Sequence, residues 1–180
     1  MSSWGHRHSP VVFEDPNFEH RDYDRWSAYG QSKTANILFA LALDGHGNAD
    51  GVRAFSLHPG SIAGTGLEKH LSREELQAAG VIDENGKPIL DPAKNLKTAA
   101  QGAATSVWCA TSPQLDGMGG VYCENCDIAP LVEDAAKLDN DGIRKVGSMA
   151  LGVMPYAVDP EAAERLWKLS ERLSFGEQHS

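Results

Sequence analysis

Tyr29 and Lys33 are the residues in this sequence whose types and spacing point most directly to chemistry. Four positions apart on a helix, they project from one face, which sets a phenol beside an ammonium. A cation next to a phenol favours the phenolate and brings proton exchange toward neutral pH. A tyrosine placed in this way can act as general acid toward a carbonyl or as general base toward an alcohol. The pair lies in Tyr29-Gly30-Gln31-Ser32-Lys33-Thr34-Ala35-Asn36, at the head of a long apolar-periodic run. Tyr-x-x-x-Lys also occurs on ordinary helices as a packed aromatic near a surface lysine, so the company it keeps decides the reading.

Two further stretches keep that company. Ser2-Ser3-Trp4-Gly5-His6 precedes the pair, and Leu57-His58-Pro59-Gly60-Ser61-Ile62 follows a later strand-like run. In this order the three stretches resemble the short-chain dehydrogenase/reductase family. The closer likeness is to its retinol-dehydrogenase-like and WW-domain-oxidoreductase-like branch, where Tyr-x-x-Ser-Lys-x-Ala-Asn recurs. The resemblance runs from Ser2 to about Asp127. It implies an oxidoreductase that moves hydride between NAD or NADP and a small-molecule alcohol or carbonyl.

The resemblance also implies roles. Ser3 would donate to the substrate oxygen, Tyr29 would exchange a proton with it, and Lys33 would serve both the tyrosine and the cofactor ribose. Pro59 and Gly60 would lie under the nicotinamide, with Ile62 and Thr65 at its carboxamide. Thr65 departs from the family's Pro-Gly-x-x-x-Thr spacing by one residue. The resemblance leaves out two family features: the asparagine of the proton relay, which precedes the serine, and the N-terminal half with its glycine-rich cofactor turn. The implied fold is therefore α/β, the C-terminal part of a doubly wound parallel-sheet (Rossmann-like) domain without its N-terminal cofactor-binding half. Dinucleotide sites of that type seat the pyrophosphate on the glycine-rich turn and the helix after it. The chain alone is accordingly expected to be inactive. The competing reading is a non-catalytic remnant or an interaction module of the same family.

These motifs require elements to carry them. Asp24 is a suitable N-cap for a helix from Arg25 to Asp44, ended by a left-handed turn in Gly45-His46-Gly47-Asn48. The helix is apolar over too broad a face for one stripe, so it packs on a sheet and offers a second face to another subunit of a homo-oligomer. Val52 to His58 reads as a buried strand broken by Pro59-Gly60. The residues from Trp4 to Arg25 read as loop, with a short extended pair around Val11-Val12-Phe13 and surface histidines at His6, His8 and His20. Ser72 and Glu75 form a capping-box pattern, and Glu84-Asn85-Gly86-Lys87 centres a hairpin-like loop. Asn95 to Ala110 is helical, and Gly119 to Cys123 is a last short strand. Asp159-Pro160 opens a final helix with Ala162, Leu166, Leus 169 and 173 as its apolar face.

The 180 residues are one domain by length. Residues 1–127 form its catalytic part, with a lid over about 67–90, and 128–180 form an extension ending in the final helix. The acidic stretch to Asn140 and the glycines at 142, 147 and 152 suggest no site. A net charge of -9 disfavours nucleic acid and anionic membrane as partners. No apolar run has the length of a membrane span and no signal peptide is legible, so a cytoplasmic location is expected. Cys123-Glu124-Asn125-Cys126 has the spacing of half a zinc site, but no second ligand pair accompanies it. Together with Cys109 these read as plain thiols, with no metal.

Overall fold

The computed structural model describes residues 1–66, 68–132 and 152–176. Leu67, the first residue of the expected lid, lies outside the described residues, as do the acidic stretch from residue 133 and the glycines at 142 and 147.

Helix α1 spans Arg25–Gly47 and begins as anticipated: the Asp24 carboxylate accepts the Ser27 amide at 2.7 Å. It runs three residues beyond the predicted end. Asp44, expected to close the helix, is instead buried in it and accepts the Arg53 guanidinium at 2.9 and 3.0 Å and the Ala54 amide at 3.0 Å. That carboxylate ties the returning chain to the helix. The left-handed residue falls later, at Gly51, after a 3-10 turn over Asn48–Asp50.

The return leads into strand β1, Ser56–His58, which pairs in parallel with β2, Tyr122–Glu124. Further backbone bonds, Gly120 N–H to Ala54 O and Ser56 N–H to Val121 O, carry the pairing upstream. Along the other side of β1, the Ser2 amide donates to Leu57 O at 2.7 Å, so the residues ahead of the first helical turn lie beside this strand. Strand β3, Asp127–Ile128, was not anticipated. It pairs antiparallel with β2 through a two-residue turn, Asn125-Cys126, with both residues at positive φ, as tight hairpins require. The Cys-x-x-Cys spacing is thus the span of a hairpin turn.

Two apolar clusters explain why α1 reads as apolar nearly all round. On the sheet side, Ile37 packs with Tyr122, Ala129, Val153, Met154 and Ala157. On the other side, Leu38 and Ala42 meet Ala163 and Leu166 of helix α4, Pro160–Phe175, capped by Asp159. The face expected on α4 is shorter than the pattern suggested, since Leu173 is 65% exposed. Trp167 extends the contact by stacking on Phe39 and His46 at 5.5 and 4.7 Å.

The loop before α1 is held by side chains rather than by a ladder. Trp4–His8 forms a 3-10 helix where loop was expected. The extended pair around Val11-Val12-Phe13 does not form. The Val12 amide donates to the Gln31 side chain, and Val11 and Phe13 pack toward the α1–α4 cluster. Thr34, fully buried, donates to His6 O and Ser9 O at 3.0 and 2.8 Å.

Helix α2, Arg73–Ala78, has the anticipated capping box between Ser72 and Glu75. The hairpin-like loop after it closes through Asp83 N–H to Lys87 O and Ile89 N–H to Val81 O. An ion pair at 3.0 Å between Arg25 and Glu75 links this region to the first turn of α1. Helix α3 spans Ala99–Thr111 and starts four residues later than expected. Asn95 is held at φ 60, and Thr98 and Gln101 supply a capping box downstream of it.

Candidate active site

Ser3 caps the Trp4–His8 turn: its hydroxyl oxygen accepts the Gly5 amide at 3.1 Å. Gly5 is buried beneath the Tyr29 ring, and any side chain there would collide with it. A Cβ on Gly5 would lie 2.5 Å from Tyr29 Cε1 and 3.4 Å from Ser3 Oγ. The absence of a side chain at position 5 is what lets the tyrosine ring close over the serine-capped turn. Lys33, one turn further along α1, places its ammonium 5.3 Å from the centroid of the same ring. Ser3 and Tyr29 therefore meet at Gly5 and Lys33 lies against the Tyr29 ring, each of the three partly exposed.

Among the described residues, neither the Tyr29 hydroxyl nor the Lys33 ammonium has a hydrogen-bonding partner. Ser2, by contrast, is buried and donates to Lys33 O at 2.8 Å, which ties the serine stretch to α1. Of the two serines, Ser3 is the one turned toward the tyrosine.

The Pro59-Gly60 turn leaves the end of β1. Gly60 has φ 91, a conformation open to glycine. The turn is pinned from below, with Ser61 N–H donating to Asn95 O at 2.7 Å and Lys97 N–H to Ser61 O at 2.8 Å. Ile62 lies directly over Gly102 of α3. Thr65 is exposed, and its hydroxyl donates to Ile62 O at 3.3 Å. This second group thus sits on the segment that follows β1, the strand the serine stretch runs beside.

Beneath these groups lies a buried polar cluster that the sequence reading missed. His6, expected at the surface, is fully buried. Its Nδ1 faces Ser3 O at 2.8 Å, its Nε2 faces the Met154 amide at 3.2 Å, and its ring packs 5.2 Å from Tyr122. Burial lowers its pKa to about 4, with Arg7 and His8 adding to the effect. Arg7 is buried too and donates to Gly152 O at 2.9 Å, while burial lowers its pKa and Glu124 partly restores it. Glu124 accepts the Gly152 amide at 2.6 Å, and burial holds its carboxyl above the usual range. His58 Nε2 stands 3.7 Å from the same carboxylate, and burial lowers His58 to about 4, with Lys97 next in effect. Tyr156 donates to His6 O at 2.9 Å, and burial raises it to about 12. The legible signal was Ser3 as a helix cap; a turn opening there carries His6 and Arg7 inward.

The unpaired hydroxyl and ammonium, set beside the Ser3 hydroxyl, form a donor set suited to a substrate oxygen and a cofactor ribose. No group of three His, Cys, Asp or Glu side chains that could hold a metal occurs among the described residues.

No family model matches the chain. It is 44% identical to a protein of Streptomyces lividans named probable oxidoreductase, over 98% of this chain and 54% of that one. It is 37% identical to a short-chain dehydrogenase/reductase of Penicillium rubens, over 96% of this chain and 45% of that protein. A WW domain-containing oxidoreductase of Danio rerio is 29% identical over 96% of this chain and 36% of its own. The chain spans about half the length of the relatives it matches. An uncharacterized Mycobacterium paratuberculosis protein of known crystal structure superimposes with a TM-score of 0.55 at 26% identity, over 96% of this chain and 47% of that one.

Proposed function

We propose that this chain is the C-terminal part of a short-chain dehydrogenase/reductase and carries the proton-transfer side of an oxidoreductase acting on small alcohols or carbonyls. The observation that carries this reading is the Tyr29 ring seated on Gly5, with Ser3 at one edge and the Lys33 ammonium 5.3 Å from its centroid. In the carbonyl-reducing direction the Ser3 hydroxyl donates to the substrate oxygen and holds it beside Tyr29. The Tyr29 hydroxyl gives up its proton to that oxygen as negative charge develops there. Lys33 stabilises the phenolate left behind and offers its remaining N–H groups to a ribose. The Pro59-Gly60 turn, with Ile62 and Thr65, orients the nicotinamide end. NAD or NADP, when bound, supplies or accepts the hydride.

Lys33→Met separates the two duties assigned to the ammonium. The test uses a fusion in which these 180 residues replace the matching segment of the Streptomyces lividans protein. Its oxidation of NADH or NADPH is followed against a panel of aldehydes and ketones. The substitution is expected to raise the cofactor KM, lower kcat and shift the pH profile of kcat upward, since one cation serves ribose and phenolate together. An unchanged profile and KM would remove Lys33 from both roles. Absence of any nicotinamide-dependent turnover in the unsubstituted fusion would overturn the proposed function itself.

The unfused 180-residue chain is expected to bind NADH and NADPH no more tightly than millimolar. Its Gly-x-x-x-Gly-x-Gly spacing falls at Gly60, Gly64 and Gly66, in the turn assigned to the nicotinamide end, and the next helix, α2, begins only at Arg73, so this stretch does not lead directly into a helix N-terminus that could receive the pyrophosphate. Calorimetric titration measures this directly. Micromolar binding at 1:1 stoichiometry would show that the chain builds its own dinucleotide site.

A further inference from the structure

We propose that His58 is a positioning residue for the Pro59-Gly60 turn, locking it through Nδ1 into the shape that receives the nicotinamide end of the cofactor. The inference rests on the proposed function for what the turn receives, but the lock itself stands on the geometry. The Gly60 amide donates to His58 Nδ1 at 3.1 Å, two residues back along the chain. This is the arrangement by which an Asx side chain closes a turn, built here with imidazole. It fixes Gly60 at φ 91, where neither a different residue nor a relaxed loop would hold the backbone equally well.

An imidazole can brace a turn only if the ring itself is held. Burial holds it here: His58 is 5% exposed, and its Nε2, 3.7 Å from the Glu124 carboxylate directly across the β1–β2 register, makes no hydrogen bond of its own. Glu124 is fixed in turn by the Gly152 amide, and Gly152 O accepts the Arg7 guanidinium at 2.9 Å. A continuous set of contacts therefore runs from the turn, through His58 and Glu124, to residue 152 and to the 3-10 helix that follows Ser3. Both ends of this set lie next to residues assigned to the reaction: Gly60 at one, Ser3 at the other. Burial keeps the ring neutral at neutral pH, as Nδ1 must be to accept. From below, Lys97 limits the turn, since a Cβ on Gly60 would lie 2.8 Å from its Cδ.

Two substitutions test the lock. His58→Ala removes the acceptor, whereas His58→Asn keeps an oxygen able to accept from the residue two ahead. In the 180-residue chain, hydrogen exchange of the Gly60 amide, followed by NMR, is expected to accelerate about tenfold in His58→Ala and to return close to the native rate in His58→Asn. In the fusion, the cofactor KM is expected to rise about tenfold for His58→Ala with a smaller change in kcat, and to recover in His58→Asn. A merely structural histidine would give the same loss for both variants, and that result overturns the proposal. Unaltered Gly60 exchange in His58→Ala overturns it as well. Restored exchange in His58→Asn without recovery of the cofactor KM would show a lock that does not serve the cofactor, and would overturn the positioning role. A fusion inactive even with His58 intact would instead refute the proposed function, while the exchange measurements still decide whether the lock exists.

Discussion

Tyr29→Phe is expected to lower kcat of the fused enzyme by at least about 10²–10⁴-fold, the span over which a positioned acid or base contributes to turnover. The substitution deletes one oxygen and keeps the ring. The ring carries the packing: Gly5 lies against Tyr29 Cε1 and Cδ1, and the Lys33 ammonium faces the ring centroid. Phenylalanine therefore preserves the way α1 sits on the serine-capped turn. Because the Tyr29 hydroxyl has no partner among the described residues, its loss strands no buried group either. The stability midpoint should hold, and the cofactor KM should change by no more than a few-fold. A loss confined to kcat identifies an interaction made in the transition state. Steady-state kinetics in both directions would measure it, and near-native kcat would exclude Tyr29 as the proton donor.

The elements that carry this chemistry were legible because their signals are local. Asp24 before Arg25, Ser72 with Glu75, and Asp159 before Pro160 each announce a helix start through a cap that acts within four residues. The breadth of apolar residues on α1 likewise foretold two packed faces, although the second is covered by α4 of the same chain. What the sequence hid depends on partners distant in the chain. α1 passes Asp44 because Arg53 and Ala54 bind that carboxylate inside the fold. Val11-Val12-Phe13 fails to become a strand because Gln31, a helix residue, takes the Val12 amide. Gly5 was visible in the serine stretch, but nothing local showed that the Tyr29 ring would close over it beside Ser3. The largest error concerned polarity: a histidine in a polar stretch looks solvated, yet His6 is anchored to Met154, and its neighbour Arg7 to Gly152, from far along the chain. No periodicity within residues 4–25 encodes those bonds.

The buried imidazoles of His6 and His58 lead to the second large effect, a loss of stability in mild acid. His6 and His58 are both held near pKa 4, against 6.5 for an unburied imidazole. Between pH 6.5 and 4 the unfolded chain takes up protons on these rings that the folded chain refuses, so stability falls as pH falls through that window. Each ring contributes on the order of 3 kcal/mol that is fully present above pH 6.5 and lost by about pH 4. The two are not independent, since each lies within the field of Arg7 and His6 also acts on His58. Lys97 adds to the positive surroundings of His58, and His8 to those of His6. Glu124 works in the opposite sense: burial raises its carboxyl, so its contribution favours the folded state at lower pH and fades as pH rises above the usual carboxylate range. One carboxyl opposes two imidazoles, and the net slope follows the imidazoles. Against a total stability of roughly 5–15 kcal/mol for a domain of this kind, the loss is enough to bring the chain close to its unfolding midpoint. Urea unfolding at intervals from pH 7.5 to 4.5 would show the midpoint falling below pH 6.5. His58→Asn should then reduce the slope by about 1.4 kcal/mol per pH unit, the value for one proton. Stability that stays flat across the window would mean that both rings are protonated inside the fold, and the buried cluster would have to be read as a set of paired ions.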